Sequence, residues 1–455
     1  MAFNLVSTSL VFFFLFILNT PSLICTSQPF DYPTTKLPST WINDPSAPHS
    51  IQFDDGSTVR AILLRGTLGQ RFACGFYCNG KCNSYLFSIF LVQTNSASFI
   101  VSPSASFPQV VWSANRDHPV KINATLKLTS DGDLVLRDAD GTIAWSSGTA
   151  GKSVDGFNLT DTGNLVLFNK RKAVVWQSFD HPTDALVPGQ TLTEGQKLIS
   201  SVSKTNSRVG IYSFLVNDKG VFAYIQSNPS LDYYTNYVST SYQSKKPSYV
   251  KFLNGSLGIY PHSWKQAPLE IFALPPAISS VQYMRLEFDG HLRVYEWKQK
   301  WEVIADLLTG FSGQCGYPLV CGKYGICSNK QCSCPGSSNT TGVGYFKPVQ
   351  EKYHNLGCTE ITPLSCSASK YQDFVELKDV TYFTNNYTIN NIDLNKCKRV
   401  CSKDCSCKAA IFRTEMDPPT RNCLLLSEVF SLIVDSNDPE HNSVVYLKVQ
   451  KKAIK

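Results

Sequence analysis

The sequence predicts a mainly β protein: two successive β-prisms followed by two small disulfide-rich modules. Short runs of alternating apolar and polar residues recur with Gly, Asn and Asp turns between them, which is typical of sandwiches, barrels and prisms. An internal repeat occupies residues 128–176, as expected of small sheets that pack together. Twelve of the 16 cysteines fall between Cys315 and Cys423, which predicts modules held by disulfides.

The N-terminal segment is apolar from Leu10 to Leu18 and turns polar at Ser22. Because this stretch is too short to span a bilayer comfortably, we expect residues 1–26 to be a secretory signal peptide, cleaved near Cys25 to Ser27. No later segment has the roughly 20 consecutive apolar residues of a transmembrane helix. The mature chain is therefore expected to be soluble, extracellular and without a membrane span.

The composition agrees with a secreted, folded protein. Its 43% hydrophobic residues over 455 positions suffice for several domain cores. The net charge of +7 comes from scattered residues without a dense Lys/Arg run, so nucleic acid is excluded as a partner. Five sequons predict N-glycosylation in turns or at exposed strand edges: Asn123, Asn158, Asn254, Asn339 and Asn386.

The first prism is predicted by the internal repeat. The segment Leu128–Leu136 returns 31 residues later as Leu159–Leu167, and Trp145 returns at the same offset as Trp176. Trp112 precedes Trp145 by 33 residues and indicates a third, less perfect unit. One small sheet cannot bury its apolar face alone, so three sheets around a central tryptophan cluster are expected over residues 27–195.

The second prism is predicted over residues 196–308. The segment Leu286–Tyr295 repeats the same order of strand, Asp-Gly turn and strand, and residues 212–224 and 249–260 look like poorer copies.

Two cysteine-rich modules are predicted after it, at residues 309–358 and 366–449. Each has six cysteines and too few residues for a large core, so disulfides within each module must stabilise it. A helix over Asn395 to Cys405 would put Cys397 and Cys401 on one face. The cysteines expected in disulfides are Cys315, Cys321, Cys327, Cys332, Cys334, Cys358, Cys366, Cys397, Cys401, Cys405, Cys407 and Cys423.

Several motifs together resemble one plant family. They are Val111-Trp-Ser-Ala-Asn-Arg116, the repeated Gly-Asn/Asp-Leu-Val-Leu strands, Val175-Trp-Gln-Ser-Phe-Asp-His-Pro-Thr-Asp184, Cys321-Gly-Lys-Tyr-Gly-Ile-Cys327 and Cys401-Ser-Lys-Asp-Cys-Ser-Cys-Lys-Ala-Ala410. In combination they are similar to the ectodomain of S-domain, or G-type lectin, receptor-like kinases and to secreted epidermal lectin-like glycoproteins. The resemblance implies a bulb-type lectin β-prism, an S-locus-glycoprotein-type prism, an EGF-like module and a PAN/apple domain.

The resemblance also bears on partners and location. It implies an extracellular glycan or protein ligand and allows a homodimer through the PAN domain. The sequence has no His-Arg-Asp or Asp-Phe-Gly kinase motif. Two alternatives remain: a secreted glycoprotein of the extracellular space or cell wall, and a truncated receptor of the plasma membrane.

The mannose motif of bulb lectins, Gln-x-Asp-x-Asn-x-Val-x-Tyr, is degenerate here. Thr129 and Thr160 stand where the family has Gln, and Arg137 and Phe168 stand where it has Tyr. We expect these strands to persist for their Leu/Val packing, with sugar binding retained weakly or lost, and replacement of Asp131 and Asn164 by Ala to leave secretion nearly unchanged. The candidate carbohydrate-binding residues are Asp131, Asp133, Val135, Asn164 and Val166.

Catalysis and metals are not expected. The seven histidines have no metal-ligand spacing, and no nucleophile, acid and base set is recognisable. The spacing of Cys74, Cys78 and Cys82 favours one disulfide and one odd thiol over a metal site in a secreted chain. No acidic residue approaches Cys315, so calcium is not expected, and no cofactor is implied.

Overall fold

A computed structural model gives the fold, which is mainly β, as the sequence predicted. The described residues form 36 strands, one α-helix and short 3-10 helices. The predicted signal peptide and the sequons at Asn254 and Asn339 lie outside them. The described residues are 39–47, 50–66, 68–95, 100–101, 108–237, 249–253, 256–260, 270–272, 281–309, 313–336, 344–384, 386–416, 419–434 and 441–451.

The first set of strands forms three antiparallel sheets. Their order is β1-β8-β9-β10, β11-β12-β13 and β2-β3-β4-β5-β6 with β7 also paired to β5. The strands are β1 (Ser39–Ile42), β2 (Ser50–Gln52), β3 (Thr58–Leu64), β4 (Gly69–Cys78), β5 (Leu86–Thr94), β6 (Ile100–Val101), β7 (Gln109–Ser113), β8 (Thr125–Leu128), β9 (Leu134–Arg137), β10 (Ile143–Ser146), β11 (Val154–Leu159), β12 (Leu165–Asn169) and β13 (Val174–Gln177).

The two repeat copies fold alike. In each copy, the tight turn between its two strands puts a glycine at positive φ, +91° at Gly132 and +82° at Gly163. A side chain at Gly163 is further excluded because its Cβ would lie 2.7 Å from the Phe72 ring. The alternation of the strands then buries the leucines on one face completely. These leucines are Leu134, Leu136, Leu165 and Leu167.

A cluster of three tryptophans joins the three sheets. Trp112, Trp145 and Trp176 come from β7, β10 and β13, and their ring centroids lie 5.7 to 6.1 Å apart. All three pairs are edge-to-face, the arrangement that aromatic rings favour. The indole of Trp112 also donates to the carbonyl of His181 at 2.8 Å. The repeat therefore places its tryptophans in the packing between sheets.

The second set of strands also forms three sheets, each with four strands. Their order is β14-β23-β24-β25, β15-β20-β21-β22 and β16-β17-β18-β19. This set already begins at Ala185, ten residues before the boundary expected at 195. The strands are β14 (Ala185–Leu186), β15 (Thr191–Thr193), β16 (Lys197–Ser203), β17 (Asn206–Asn217), β18 (Gly220–Ile225), β19 (Leu231–Tyr237), β20 (Tyr249–Leu253), β21 (Ser256–Tyr260), β22 (Glu270–Phe272), β23 (Gln282–Leu286), β24 (Leu292–Trp297) and β25 (Trp301–Asp306).

The first cysteine-rich module has little regular structure. Its strands form the hairpin β26-β27 and the pair β28-β29. Its disulfides are Cys315–Cys327, Cys321–Cys332 and Cys334–Cys358. The strands are β26 (Ile326–Ser328), β27 (Gln331–Ser333), β28 (Phe346–Pro348) and β29 (Cys358–Glu360).

The last module packs α1 (Leu394–Lys403) beside a five-stranded sheet of order β30-β36-β33-β34-β32. Asp393 caps the helix by accepting from the backbone N–H of Lys396 at 2.9 Å. Its disulfides are Cys366–Cys405, Cys397–Cys423 and Cys401–Cys407. The strands are β30 (Gln372–Lys378), β31 (Val380–Thr381), β32 (Ile389–Asn390), β33 (Ala409–Met416), β34 (Pro419–Leu426), β35 (Leu432–Val434) and β36 (His441–Gln450).

The two cysteine-rich modules share a sheet. Strand β35 of the last module pairs in parallel with β26 of the first, with Ile326 opposite Leu432. Their disulfides nevertheless stay within each module. The two modules are therefore joined by backbone hydrogen bonds and packing.

Candidate functional site

The candidate carbohydrate-binding residues lie in two separate sheets of the first prism. Asp131 and Asp133 lie in the turn before β9, which carries Val135. Asn164 precedes β12, which carries Val166. The structure thus brings the candidates together within each sheet and keeps the two groups apart.

Asp133 is held by hydrogen bonds within its own sheet. It accepts from the hydroxyls of Ser146 at 2.6 Å and Ser147 at 2.8 Å, and from the backbone N–H of Thr149 at 3.1 Å. Partial burial raises the pKa of this carboxyl, but the hydrogen bonds outweigh it and leave the pKa below its ordinary value. The carboxylate stays charged, and it stabilises the turn around β10.

Asn164, at the equivalent position of the second copy, also makes its hydrogen bonds within the protein. Its amide nitrogen donates to Gln177 Oε1 at 2.9 Å, and its amide oxygen accepts from the Ser178 hydroxyl and the Phe179 backbone N–H, both at 3.2 Å. The side chain is buried. A sugar hydroxyl at this position would have to displace these internal partners.

The threonines at the Gln positions close the turns. The hydroxyl of Thr129 donates to the Asp133 carbonyl and accepts from the Asp133 backbone N–H, both at 2.9 Å. The hydroxyl of Thr160 accepts from the backbone N–H of Asn164 at 2.9 Å. Neither side chain is free to reach outwards as a glutamine amide would.

The apolar positions of the motif are covered. Val135 is 7% exposed and Val166 is 9% exposed, so little of either surface is left to pack on a sugar ring. Phe168, in the place of Tyr, lies under the Lys172 ammonium, 4.2 Å from the ring centroid. Among the five candidate residues, Asp131 alone is exposed. Its carboxylate has no partner among the described residues.

A sequon shares the face of the second candidate strand. Asn158 on β11 lies directly opposite Val166 in the register, and paired residues of antiparallel strands project from the same side of a sheet. Its amide oxygen accepts from Arg65 at 2.9 Å. A glycan on Asn158 would therefore project beside Val166.

The third copy of the motif, in the second prism, is built of ionic and hydroxyl contacts. Tyr295 donates to the carboxylate of Glu287 at 2.6 Å. Arg293 donates twice to Asp289, at 2.8 and 3.2 Å. His291 is bonded through Nδ1 to Asp306 and stacks on the ring of Tyr317, which belongs to the next module. Of these side chains, His291 and Asp306 take part in the junction with the EGF-like module, because Tyr317 contacts both.

Sequence reasoning missed a cleft between the two prisms. It has a volume of about 310 Å³ and is lined from the first prism by Asp117, His118 and Trp145 and from the second by Ile199 and Val209. The available signal was the motif that ends in Arg116, immediately before Asp117 and His118.

Arg116 joins the two prisms beside this cleft. Its guanidinium donates to the carbonyls of Ser207, Ile199 and Ser200 at 2.7 to 2.8 Å, and to the hydroxyl of Ser201 at 3.3 Å. Asp184 lies 3.9 Å away and balances the charge. The buried arginine thus fixes the β16-β17 hairpin against the first prism.

No metal centre is assembled in the part of the chain that the structure describes. Groups of three or more His, Cys, Asp or Glu side chains placed to hold a metal ion are absent there. Cys78 and Cys82 form a disulfide. Cys74 is a free thiol in the core, and burial raises its pKa well above the ordinary value. Within the same residues, no helix has the length and apolar character needed to cross a membrane.

Comparison with known proteins places these modules in a family. Residues 109–207 match the model of D-mannose binding lectin domains, and residues 366–430 match that of PAN-like domains. EP1-like glycoprotein 2 of Arabidopsis thaliana is 31% identical over 378 residues, covering 74% of this chain and 79% of the relative. The chain belongs to the EP1-like glycoprotein family. EP1-like glycoprotein 1 of the same plant is 28% identical over 75% of this chain and 80% of its own length.

The receptor-like kinase relatives match as well. The G-type lectin S-receptor-like serine/threonine-protein kinase At5g35370 of A. thaliana is 30% identical over 88% of this chain, and the chain spans 44% of that kinase. The predicted resemblance to both groups is thereby confirmed. The lectin and PAN-like matches and the EP1-like relatives fit a non-enzymatic, extracellular type of protein.

Proposed function

We propose that this chain is a secreted, non-catalytic recognition glycoprotein whose lectin-type prisms bind an extracellular carbohydrate or protein partner. In this proposal its mannose-motif strands bind mannose at best weakly. One observation carries it: the polar side chains that would hold the sugar hydroxyls, Asp133 and Asn164, make their hydrogen bonds within the protein. An exchange of such bonds for bonds to a ligand yields little net free energy, since a typical hydrogen bond contributes only about 1 kcal/mol net.

The test is a glycan array probed with the soluble protein, with mannose titrated separately. We expect no mannose binding tighter than the millimolar range, where the free energy of binding is only about 4 kcal/mol. Strong mannose binding that is lost in the Asp131→Ala variant would contradict this part of the proposal, because Asp131 is the one exposed polar candidate.

A gain-of-function variant makes the test sharper. The triple change Thr160→Gln, Thr162→Asp and Phe168→Tyr restores the bulb-lectin pattern around Asn164 and Val166. Because Thr160→Gln also removes the Asn158-Leu-Thr160 sequon, we expect the triple variant to bind mannose more tightly than both the natural protein and the Asn158→Gln variant, which loses only the sequon. If the restored strand stays inactive although the protein is folded, the substituted residues are not the reason for the weak binding.

The alternative function is ligand sensing by the ectodomain of a receptor kinase. It is supported by the 30% identity to the receptor kinase over most of this chain. Reading the transcript beyond Lys455 separates the two: an open frame into an apolar span and a kinase favours the receptor, and a stop codon favours the glycoprotein. Secretion itself is tested by the loss of apparent mass on enzymatic deglycosylation of the plant-expressed protein.

A further inference from the structure

The cleft between the prisms, described above, has the size of a small-ligand site. Its volume of about 310 Å³ lies at the lower end of the roughly 300–1,000 Å³ that such sites occupy. Both prisms contribute to its walls, and clefts at domain junctions are common places for ligands. The size suits one or two sugar residues rather than a long chain.

The wall of the cleft is rigid. Trp145 packs edge-to-face against Trp112 and Trp176, with ring centroids 6.1 and 5.7 Å apart, and its ring is tilted against that of Phe87 at 6.0 Å. An indole held in this way gives a ligand apolar contact area without losing side-chain freedom on binding. Pro182, Ile199 and Val209 add aliphatic surface.

Two polar side chains of the cleft, Asp117 and His118, are available to a ligand. Asp117 accepts the backbone N–H of Val209 through one oxygen at 3.1 Å, and its second oxygen has no partner among the described residues. The His118 ring likewise has none within the described ranges, and both side chains are exposed. A carboxylate and an imidazole beside an indole ring can accept and donate to ligand hydroxyls while the ring covers C–H groups.

The charges in the cleft argue against an anionic ligand. Arg116 uses four of its N–H groups on acceptors of the β16-β17 hairpin, and Asp184 balances its charge. The free oxygen of Asp117 would repel a carboxylate, sulfate or phosphate. The chemistry left is that of a neutral polyol with an apolar face.

We propose that the cleft binds a neutral pyranose residue, with its apolar face on Trp145 and its hydroxyls on Asp117 and His118. This site is separate from the mannose-motif strands and depends on both prisms being in place. The proposal rests on the proposed function, since it names where that recognition of carbohydrate takes place.

The experiment uses the full secreted chain and a panel of methyl pyranosides of gluco, galacto, manno and xylo configuration. Binding is followed by indole fluorescence and by saturation-transfer NMR. We expect at least one member to bind with a Kd in or below the millimolar range. Val209→Phe fills the cleft and should weaken binding tenfold or more, and Asp117→Ala should do the same.

Matched controls separate the cleft from general effects. Val349→Phe, the control for Val209→Phe, places a phenylalanine at an exposed valine of the EGF-like module. His354→Ala is the control for His118→Ala, since both histidines are exposed. Each control should stay within twofold of the natural protein. Equal binding by Val209→Phe and Val349→Phe would overturn the proposal.

Two further outcomes distinguish the inference from the proposed function. If a pyranoside binds and Asp131→Ala abolishes binding while Val209→Phe does not, the cleft proposal fails and carbohydrate recognition stands. If no member of the panel and no glycan on the array binds, the cleft proposal fails together with the carbohydrate part of the proposed function, and only a protein partner remains.

Discussion

The two prisms share a three-sheet plan but use the positions of the sugar motif differently. In the first prism, Asp133 and Asn164 are satisfied by hydroxyl, amide and backbone groups of the neighbouring strand and of the residues that follow it. In the second, Arg293 pairs with Asp289 and His291 pairs with Asp306. The motif positions are therefore structural in both prisms. Neutral hydrogen-bonding groups contact them in the first prism, and charged side chains pair at them in the second.

The contacts at the motif positions differ because these positions adjoin different structures in the two prisms. The contacts of Asp133 and Asn164 close turns inside their own sheets. The His291 ring stacks on Tyr317, and Tyr317 donates to Asp306 at 2.9 Å, so the second set of contacts also fixes the EGF-like module. In both prisms the side chains of the degenerate binding motif thus make contacts within the protein. These contacts differ according to the module that adjoins each prism.

The largest expected effect concerns the tryptophan cluster, which gives the first prism a centre shared by its three sheets. Replacing a buried Trp by Ala typically costs about 3–5 kcal/mol. We expect Trp112→Ala to cost that much, because Trp112 contacts both other indoles and donates to His181. Urea unfolding followed by circular dichroism measures it. A loss below about 1 kcal/mol would show that the sheets of this prism do not depend on the cluster.

The next effect tests whether the motif polar groups are structural. Asn164→Ala removes three side-chain hydrogen bonds and leaves the partly buried N–H of Phe179 without its acceptor, so we expect a loss of about 1–3 kcal/mol. Asp131→Ala is the control, since an exposed side chain without partners changes stability by about 0.5 kcal/mol or less. The expectation from sequence that the double replacement leaves secretion nearly unchanged is therefore revised for Asn164. Equal secretion and melting temperature of the two single variants would contradict this revision.

A pH experiment tests the charged contacts of the second prism. Burial raises the pKa of Asp306, but the hydrogen bond and charge of His291, the Tyr317 hydroxyl and the charge of Arg293 together hold it below its ordinary value. A depressed folded-state pKa gives stability that is present above the ordinary pKa and is lost as the pH falls through the folded value. We expect Asp306→Asn to cost about 1–2 kcal/mol at pH 7 and less near pH 3.

The control for this experiment is Asp133→Asn in the first prism. Its carboxyl also has a lowered pKa, but its donors are neutral groups of its own sheet. Both variants should converge on the natural protein in acid, whereas only Asp306→Asn should loosen the EGF-like module, measured by hydrogen exchange at Tyr317. A cost of Asp306→Asn that is constant from pH 7 to pH 3 would contradict the ionic account.

Much of the fold could be predicted from the sequence because its signals are local. The repeat at Leu128 and Leu159 defines a strand, a turn and a strand by alternation alone. The tryptophan spacing predicts the packing between sheets, since equivalent positions of repeated units meet at a common centre. The cysteine spacing marks the two last modules, where closing short loops is entropically favoured.

The internal use of the motif side chains could not be predicted. The partners of Asn164 lie 13 to 15 residues later, and the alternation that identifies a strand does not say whether an outward polar group meets a ligand or a neighbour. The contacts of Arg116 with Ser200 and Ser207 depend on how two prisms dock, for which the sequence has no periodic signal. The cleft beside Asp117 was missed for that reason.

The smallest expected effect is found between two neighbouring tyrosines of the second prism, whose ring centroids are 5.6 Å apart. Tyr212 is buried and its hydroxyl has no hydrogen-bond partner among the described residues, whereas the Tyr233 hydroxyl donates to the Gly290 carbonyl at 2.6 Å. Removing an unsatisfied buried hydroxyl relieves its desolvation, so Tyr212→Phe should be neutral or stabilise by up to about 1 kcal/mol. Tyr233→Phe should cost about 1 kcal/mol, because the Gly290 carbonyl loses its donor. The melting temperature should therefore fall for Tyr233→Phe and stay the same or rise for Tyr212→Phe. A cost for Tyr212→Phe equal to that for Tyr233→Phe would mean that the Tyr212 hydroxyl also takes part in a polar contact of the second prism, and the contrast between the two tyrosines would no longer hold.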